Sequence, residues 1–489
     1  MEMKAQQTSS PAAGKKPLFK HVLALNPYLS DSTAAMGVFP PTGLEYIAAS
    51  MLGLVGKVTL LDLRYDRQIR NVQDLNDFIR KEIDLVCISI SWASGFDRVM
   101  ELVRQLPAGI TTIVGGHKAT EEVELILQQC PNVTIVVRGE GEEIIRQIVT
   151  GVPIEQIAGL SYRKNGSITH NPNANLPEVA RLPFPDRSLR RHPYQWIQRG
   201  IKLTDSTFDA VLTARGCPYK CKFCTFSLNP LGQKREYAER PLDTVIEELK
   251  TVTADIVMFS DDNFFTNPKR SEALCDLIVK NGIRKTFAVQ ARIEASRYPT
   301  MLAKAAEAGI RMMLIGVESP HDRILKQIDK GFTQQDVRDA IKVLLKYPFY
   351  LHGYFIYGNI SESEEEMRYI PKFAKEVGLD SISFQKLRIE KYSPLRDVLL
   401  STPGYHYDHI GGPVYSDKYG LRELKRVRNA IRRDFYDFTQ VRHIVRKLFR
   451  LGLVRRADVV RLVFNLPRFA FALTKREIEK AWQSRWRHG

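Results

Sequence analysis

Three cysteines stand close together in the stretch Ala214-Arg215-Gly216-Cys217-Pro218-Tyr219-Lys220-Cys221-Lys222-Phe223-Cys224. Their CxxxCxxC spacing puts three thiolates on one tight loop. Such a loop can hold three irons of a four-iron, four-sulfur cluster, and it leaves the fourth iron open to a small ligand. The spacing therefore predicts a reactive [4Fe-4S] cluster with Cys217, Cys221 and Cys224 as its metal ligands.

Other uses of the cysteines fit the sequence less well. A structural zinc site needs four protein ligands, commonly as two separated pairs, and the sequence has no second pair. A disulfide framework is disfavoured because the chain is long, the cysteines are few and no secretory signal precedes them. Cys87, Cys130 and Cys275 are isolated within apolar or helical patterns, which predicts small buried hydrophobes. This cysteine usage predicts a reducing, cytoplasmic compartment.

The first third of the chain alternates short apolar segments with helical periods, which predicts a Rossmann-like, doubly wound α/β sheet of parallel strands. The predicted strands are His21 to Asn26, Lys57 to Asp62, Leu85 to Ser91, Thr111 to Gly115 and Val133 to Val137. Such sheets bind ligands at the carboxyl ends of their strands, where glycines let the backbone approach a ligand closely. The candidate binding residues at these ends are Ser91, Gly115, Gly116, His117, Gly139 and Glu140.

The same alternation resumes around the cysteine loop. About six repeats of strand then helix predict a partial, open (β/α)6 barrel of parallel strands with its chemistry at the strand ends. The candidate residues at these ends are Asp261, Asp262, Gln290, Arg292, Gly316 and Glu318. Each residue taken singly could instead be a solvated polar group or a helix cap. Because these residues stand in register on successive strands behind a cysteine loop, together they favour a cofactor site.

Aromatic residues mark the fifth predicted strand of this barrel. Gly353 and Gly358 enclose alternating aromatic side chains, which suggests close backbone approach near a large ligand, although a packed barrel interior explains the aromatics equally well. We expect Tyr354, Tyr357 and Gln385 to face the substrate and act in catalysis.

The cysteine loop, with Arg215-Gly216 before it and an aromatic residue before Cys224, resembles the signature of the radical S-adenosylmethionine (SAM) enzymes. The resemblance implies that the open iron is chelated by the amino and carboxylate groups of SAM. It also implies an electron donor, such as a flavodoxin or ferredoxin, whose electron cleaves SAM to a 5′-deoxyadenosyl radical.

This resemblance implies roles for the strand ends of the barrel. The segment that contains Asp261 and Asp262 lies where the family binds the methionine amino group of SAM. The fork of Arg292, with Gln290 beside it, suits the methionine carboxylate. The Gly-x-Glu element at 316–318 is placed to contact the ribose or support the adenosine pocket.

The first domain resembles the cobalamin-binding domain that precedes the radical domain in a large subgroup of this family. The best-known fingerprint of that fold places a histidine two residues after an aspartate as the lower cobalt ligand. Here Asp62 is followed two residues later by Arg64. The resemblance thus implies bound cobalamin without a histidine ligand from this loop, and we expect His117 to be a hydrogen-bonding loop residue. A vestigial sheet that only scaffolds is the alternative.

Composition and turn chemistry divide the chain into five parts. A Lys164-Asn165-Gly166 turn predicts a small hairpin, and the proline-rich segment 182–186 predicts an extended linker. The first residues are polar and small, without an apolar stretch behind them. The parts are a disordered tail at 1–17, the cobalamin-binding-like domain at 18–155, hairpin and linker at 156–204, the radical SAM barrel at 205–400, and a basic α-helical region at 401–489.

Positive charge is concentrated at the end of the chain. The net charge is +17, and residues 421–489 hold 19 Lys and Arg against 6 Asp and Glu. These basic residues alternate with bulky apolar ones, which is typical of amphipathic helices on an anionic membrane surface. The apolar residues of this region include Phe438, Phe449, Phe464, Phe469, Phe471, Trp482 and Trp486.

Two other interpretations of this basic region remain open. Nucleic acid is also a polyanion, but no recognisable RNA-binding module follows the barrel, so we expect no nucleic-acid partner. A helical cap with a solvated basic face is the third interpretation. No uninterrupted apolar stretch of about 18 residues occurs, so no transmembrane helix is predicted. We expect a peripheral protein at the inner face of the membrane.

Together these features predict a cobalamin-dependent radical SAM enzyme that transfers a methyl group to an unactivated carbon. The basic tail suggests an apolar substrate, and the arrangement resembles lipid-modifying members such as hopanoid methylases. One alternative is a radical SAM enzyme that forms rings, contracts them or joins carbons without methyl transfer. Another is a non-catalytic cobalamin sensor, against which the intact cysteine loop argues.

Overall fold

The computed structural model describes residues 16–28, 38–66, 68–93, 95–198, 201–224, 228–409, 411–455, 457–461 and 464–465. Residues 1–15 of the predicted disordered tail lie outside the described residues, as do Phe469, Phe471, Trp482 and Trp486. The chain divides into two compact units, residues 1–193 and 194–489.

The first unit contains a seven-stranded sheet. Its strands are β1 (His21–Asn26), β2 (Lys57–Asp62), β3 (Leu85–Ser89), β4 (Thr111–Gly115), β5 (Ile135–Val137), β6 (Leu160–Lys164) and β7 (Ser167–His170). The spatial order is β2-β1-β3-β4-β5-β6-β7, with β1 to β5 parallel and the last two strands antiparallel. Its helices are α1 (Thr42–Met51), α2 (Val72–Glu82), α3 (Phe96–Arg104), α4 (His117–Glu121), α5 (Val123–Gln129) and α6 (Glu142–Val149).

Both faces of this sheet are covered by apolar packing, which explains why its strands are continuous apolar runs. Along β1, Leu23 and Leu25 pack into one hydrophobic cluster, whereas Val22 and Ala24 pack into another. Alternate side chains of a strand point to opposite faces, so a strand covered on both sides must be apolar throughout. The predicted doubly wound sheet is confirmed.

The sequence predicts that the hairpin belongs to a separate connecting segment, but in the structure it is part of the first unit. Strand β6 pairs antiparallel with β5, with Val137 opposite Leu160, and the Asn165-Gly166 turn leads into β7. The hairpin therefore extends the first sheet, because an edge strand with unpaired backbone groups favours the addition of another strand. The compact unit accordingly continues to Pro193.

The second unit is built on another seven-stranded sheet, with two short antiparallel ladders. Its strands are β8 (Tyr194–Gln198), β9 (Ile201–Val211), β10 (Ala214–Arg215), β11 (Ala238–Glu239), β12 (Ile256–Phe259), β13 (Thr286–Ala291), β14 (Ile310–Glu318), β15 (Tyr350–Tyr357), β16 (Ser381–Lys386), β17 (Tyr405–Tyr407) and β18 (Val414–Ser416). The large sheet has the order β16-β15-β14-β13-β12-β9-β8, and all of its neighbours are parallel except β8 with β9.

Helices follow the parallel strands and continue after the last one. They are α7 (Leu242–Thr251), α8 (Pro268–Lys280), α9 (Pro299–Glu307), α10 (Asp322–Gln327), α11 (Gln334–Leu344), α12 (Glu364–Val377), α13 (Leu395–Leu400), α14 (Leu421–Phe435) and α15 (Phe438–Arg450). Six parallel strands in an open, curled sheet confirm the predicted partial barrel. Within the described ranges, no helix is both long and apolar enough to cross a bilayer.

Candidate active site

The cysteine loop lies at the carboxyl end of the second sheet, directly after β9 and β10. Gly216 enters it at φ 84°, and a Cβ at this position would lie 2.5 Å from the carbonyl oxygen of Glu236. The backbone N–H of Gly216 donates to Asp262 Oδ2 at 2.9 Å. Only glycine fits this close approach, and the hydrogen bond ties the loop to the end of the neighbouring strand β12.

A cavity of about 440 Å³ opens at this end of the sheet. It brings together most of the predicted residues of the barrel, namely Cys217, Cys221, Cys224, Asp262, Gln290, Arg292, Gly316, Glu318, Tyr354 and Gln385. Parallel strands end at one edge of a sheet, so residues distant in sequence converge there.

The three cysteines of the loop differ in environment from the other three. Cys87, Cys130 and Cys275 are buried, and burial raises the pKa values of Cys87 and Cys275 to about 12. Isolated buried thiols of this kind are inert, which confirms the prediction of small buried residues. The loop cysteines instead share one cavity, and three thiolates fit three irons of a [4Fe-4S] cluster with one iron open.

Arg292 contacts the cysteine loop directly. Its Nη1 donates to Cys221 Sγ at 3.3 Å, and its Cζ lies 3.7 Å from the ring centre of Tyr219. Nη2 donates to the carbonyl of Lys330 at 2.6 Å and to Glu294 Oε1 at 2.7 Å. The guanidinium thus joins the loop, the end of β13 and the segment after α10.

A buried ion pair lies at the end of β14. Lys330 Nζ is 2.9 Å from Glu318 Oε1, and both side chains are nearly inaccessible. Glu318 has φ 69°, a left-handed conformation that costs energy in a residue other than glycine. A Cβ at Gly316 would lie 2.5 Å from Glu318 Oε1 and 2.9 Å from Lys330 Nζ. The glycine therefore makes room for this pair.

Two predicted residues of the barrel do not line the cavity. Asp261 is buried, and it accepts hydrogen bonds from the backbone N–H of Thr213 at 2.6 Å and from the Thr213 hydroxyl. Burial raises the pKa of Asp261 to about 6. Tyr357 packs in the hydrophobic core, because residues three apart on a strand face opposite sides and Tyr354 occupies the cavity side. Tyr357 is thus a core residue, contrary to our expectation.

Several cavity residues were not predicted. Tyr219 and Phe223 belong to the cysteine motif itself, so their positions were available in the sequence. Lys330, before a glycine in a turn between two helices, resembles an ordinary helix end, and no pattern distinguished it. The other unpredicted side chains of the wall are Ala291, Leu314, Phe355, Ile356, Lys386, Leu387, Arg388 and Glu390.

The candidate residues of the first unit lie at the carboxyl ends of β3, β4 and β5. Gly116 directly follows Gly115 and has φ 108°. A Cβ at Gly116 would lie 2.7 Å from the carbonyl oxygen of Ile90. The Ser91 hydroxyl is 3.2 Å from that of Ser89, and the Gly139 N–H donates to Thr120 Oγ1 at 3.1 Å. The half-buried Glu140 directly follows Gly139. This edge therefore presents backbone and small polar groups, which suit close approach of a large ligand.

Two charged groups near this edge bind to carboxylates of the same unit. Arg64 Nη2 is 2.7 Å from Asp62 Oδ2, and the pair is buried. His117 Nε2 is 3.2 Å from Glu121 Oε1. Burial alone would raise the pKa of Glu121, but hydrogen bonds from His117 and Lys118 override it and lower the pKa to about 2. His117 is thus engaged as a hydrogen-bonding residue.

Comparisons with known families divide the chain in the same way. Residues 211–374 match the radical SAM superfamily, and residues 33–149 match the B12 binding domain. The chain is also similar to solved structures of TsrM, a radical SAM methyltransferase from Kitasatospora setae. One of them, with tryptophan and a SAM analogue bound, gives a TM-score of 0.64 at 17% identity and covers 90% of each chain. This likeness shows a shared fold.

Three relatives span different parts of the chain. An uncharacterized methyltransferase of Pyrococcus horikoshii is 29% identical over 442 residues, which cover 86% of this chain and 92% of that protein. The anaerobic magnesium-protoporphyrin IX monomethyl ester cyclase of Rubrivivax gelatinosus is 23% identical and covers 73% and 65%. The hopanoid C-3 methylase of Methylococcus capsulatus is 23% identical and covers 57% and 53%.

Proposed function

Because the chain belongs to the radical SAM enzymes that carry a B12-binding domain, we propose that it methylates an unactivated carbon of an apolar, lipid-like substrate. Its cofactors are a [4Fe-4S] cluster, SAM and cobalamin. When bound, the cluster with SAM supplies hydrogen-atom abstraction, and cobalamin supplies the methyl group.

The observation that carries the proposal is the mixed lining of the cavity beside the cysteine loop. Charged and polar side chains share its wall with the apolar side chains of Phe223, Leu314, Ile356 and Leu387. The polar groups suit the amino acid and ribose groups of SAM, and the apolar side chains suit a hydrocarbon. The similarity to a hopanoid methylase supports an apolar substrate.

We assign roles to the described residues accordingly. Cys217, Cys221 and Cys224 ligate the cluster, and Asp262 accepts from the amino group of SAM. The Glu318–Lys330 pair presents charges to its ribose and carboxylate. Gln290 and Gly316 complete the SAM pocket, and Tyr354 and Gln385 contact the substrate. Cobalamin is held at the strand ends of the first unit, by Ser91, Gly115, Gly116, Gly139 and Glu140.

We further propose that the enzyme works at the cytoplasmic face of an anionic membrane and receives electrons from a flavodoxin or ferredoxin. The positive charge of the C-terminal region supports the membrane location, because basic residues attract anionic headgroups. At the membrane surface the enzyme would reach an apolar, lipid-like substrate.

A second candidate is radical cyclisation without net methylation. The similarity to a magnesium-protoporphyrin monomethyl ester cyclase, which covers 73% of this chain, favours it. Both candidates need the cysteine loop. A non-catalytic sensor does not, and the family places this chain among enzymes.

The test is to purify the full chain without oxygen from cobalamin-replete cells and to measure iron and corrin per chain. The protein is then incubated with methyl-labelled SAM, reductant and an extract of apolar lipids. Methyl transfer predicts about one corrin per chain, label in the lipid fraction, and S-adenosylhomocysteine with 5′-deoxyadenosine. Deoxyadenosine without label transfer would support cyclisation. A chain with its iron but no corrin would overturn the methyl-transfer proposal.

A further inference from the structure

Helix α15 exposes its apolar side chains. Phe438 is 82% exposed, and Val441 and Val445 are each 44% exposed. These residues are spaced i, i+3 and i+7, so they form one stripe along the helix. In a helix that belongs only to a folded core, this stripe would be buried.

The opposite face of α15 is polar and holds the helix on the protein. Lys447 Nζ lies 2.6 Å from Asp380 Oδ2, and His443 Nε2 lies 2.7 Å from Asp380 Oδ1. Gln440 Nε2 donates to the carbonyl of Asp380 at 2.8 Å. Asp380 is completely buried. Polar contacts therefore fix α15 with its apolar stripe directed away from the core.

Helix α14 shows the usual arrangement for comparison. Its apolar residues Leu424, Val427, Ile431 and Phe435 are almost completely buried. The chain therefore has ordinary amphipathic packing immediately before α15, in contrast to the exposed stripe of α15.

A row of arginines runs beside the stripe. Arg442, Arg446 and Arg450 are spaced i, i+4 and i+8, and all three are exposed. None of the three forms an ion pair with another residue in the described ranges. An apolar stripe flanked by uncompensated cations is the composition of a helix that lies in a membrane interface.

We propose that α15 lies flat on an anionic lipid surface, with Phe438, Val441 and Val445 inserted and the three arginines on the headgroups. This inference rests on the membrane location proposed above and names the surface that makes the contact. A second copy of the chain fits less well, because a twofold contact through the stripe would bring two rows of arginines together. An acidic protein would match the arginines but leave the stripe unexplained.

The test uses the full chain in co-sedimentation with phosphatidylglycerol-containing vesicles and with pure phosphatidylcholine vesicles. The triple variant R442Q/R446Q/R450Q should bind the anionic vesicles about 100-fold more weakly at low salt. The variant R422Q/K425Q/R432Q removes the same charge from exposed positions of α14 and should stay within about threefold of wild type. The variant F438S/V441S/V445S should lose the binding that persists at high salt.

Each outcome decides between the possible partners. If both arginine variants lose the same affinity, general charge and not α15 binds the lipid, and the inference fails. If the serine variant instead changes the mass in light scattering from dimer to monomer, a second copy covers the stripe. A wild type that binds no vesicles overturns both this inference and the membrane location. The methyl-transfer proposal is tested separately by corrin content and label transfer, so its failure would be recognised independently.

Discussion

At the scale of single residues, Arg292 is held by the protein in a way that the family resemblance did not predict. Four of the five N–H donors of an arginine are used here, on Glu294, Lys330 and Cys221. The expected fork for the SAM carboxylate is therefore largely occupied. A hydrogen bond to a cluster thiolate is one of the determinants of an iron–sulfur reduction potential.

We predict that Arg292→Gln makes the reduction potential of the cluster more negative. The substitution removes a cationic donor from Cys221, and this donor stabilises the more negative, reduced cluster. The shift should be on the order of 50 mV, since 59 mV corresponds to a factor of ten for one electron. An EPR-monitored redox titration measures it. Arg297→Gln, at an exposed position of the same segment, is the control, and an equal shift in both variants would argue against a role for this hydrogen bond.

Asp261 and Asp262 are neighbours with different contacts, so paired variants should separate stability from binding. Asp261→Ala leaves the buried N–H of Thr213 without its acceptor and should reduce the free energy of unfolding by about 3 kcal/mol. Asp262→Ala should change this free energy by only about 1 kcal/mol and weaken SAM binding about tenfold. Thermal melting and calorimetric titration with SAM measure the two effects. A loss of SAM affinity confined to Asp261→Ala would reverse our assignment.

At the scale of elements, the segment between β15 and α12 contains a buried titratable group. Glu362 is buried and accepts hydrogen bonds from the N–H and the Nδ2 of Asn359 at 2.9 and 3.1 Å. Burial raises the pKa of Glu362 to about 7. A carboxyl group whose pKa is raised in the folded state stabilises the protein fully below its unfolded pKa, and this contribution is lost as the pH rises through 7.

The variant Glu362→Gln should therefore match the wild-type stability near pH 4.5 and exceed it at pH 8 by about 3 kcal/mol. The neutral amide avoids the burial of a charge and keeps an oxygen as acceptor for Asn359. Melting curves between pH 4.5 and pH 8 test this. Glu365→Gln, at an exposed position, should retain the wild-type pH dependence. A variant of Glu362 with that same dependence would show that this carboxyl group does not titrate in the range.

The attachment of α15 depends on a second buried carboxylate. Asp380→Ala leaves Lys447 as a buried charge without its partner, which costs about 3 kcal/mol or more. We expect amide hydrogen exchange across 438–450 to accelerate on the order of 100-fold, with little change in α14. Asp434→Ala removes the exposed Arg433–Asp434 pair and should have almost no effect. Unchanged exchange in α15 would mean that other contacts hold the helix.

At the scale of the whole molecule, each unit has its own hydrophobic cores. The strands of the first unit lie between two apolar clusters, and the strands and helices of the second unit enclose another. Because each core is complete within its unit, damage to the ligand site of one unit should leave the fold of the other intact.

Reciprocal variants should therefore separate the two cofactors. Cys221→Ala should lose iron and SAM cleavage while it keeps about one corrin per chain. Gly116→Leu should lose corrin and keep iron, because a side chain at φ 108° would collide with the carbonyl of Ile90. Metal analysis and corrin absorbance measure both. Loss of both cofactors in either variant would mean that the two sites depend on each other.

The sequence by itself determined the features that rest on local spacing. The cysteine loop needs only three residues at fixed intervals, and the buried parallel strands are continuous apolar runs because both faces are covered. The alternation of these strands with helices was sufficient to predict both the doubly wound sheet and the partial barrel. The strand ends followed from the same pattern, and most of the residues predicted there line the cavity.

Only the tertiary structure decided which side chain at a strand end points into the cavity. Asp261 and Asp262 have similar chemistry, and Tyr354 and Tyr357 share one strand, but only one residue of each pair lines the cavity. Lys330 reaches Glu318 from a segment that no motif marks. The exposed stripe of α15 likewise follows from its contact with Asp380, because periodicity locates an apolar face but not the direction in which it points.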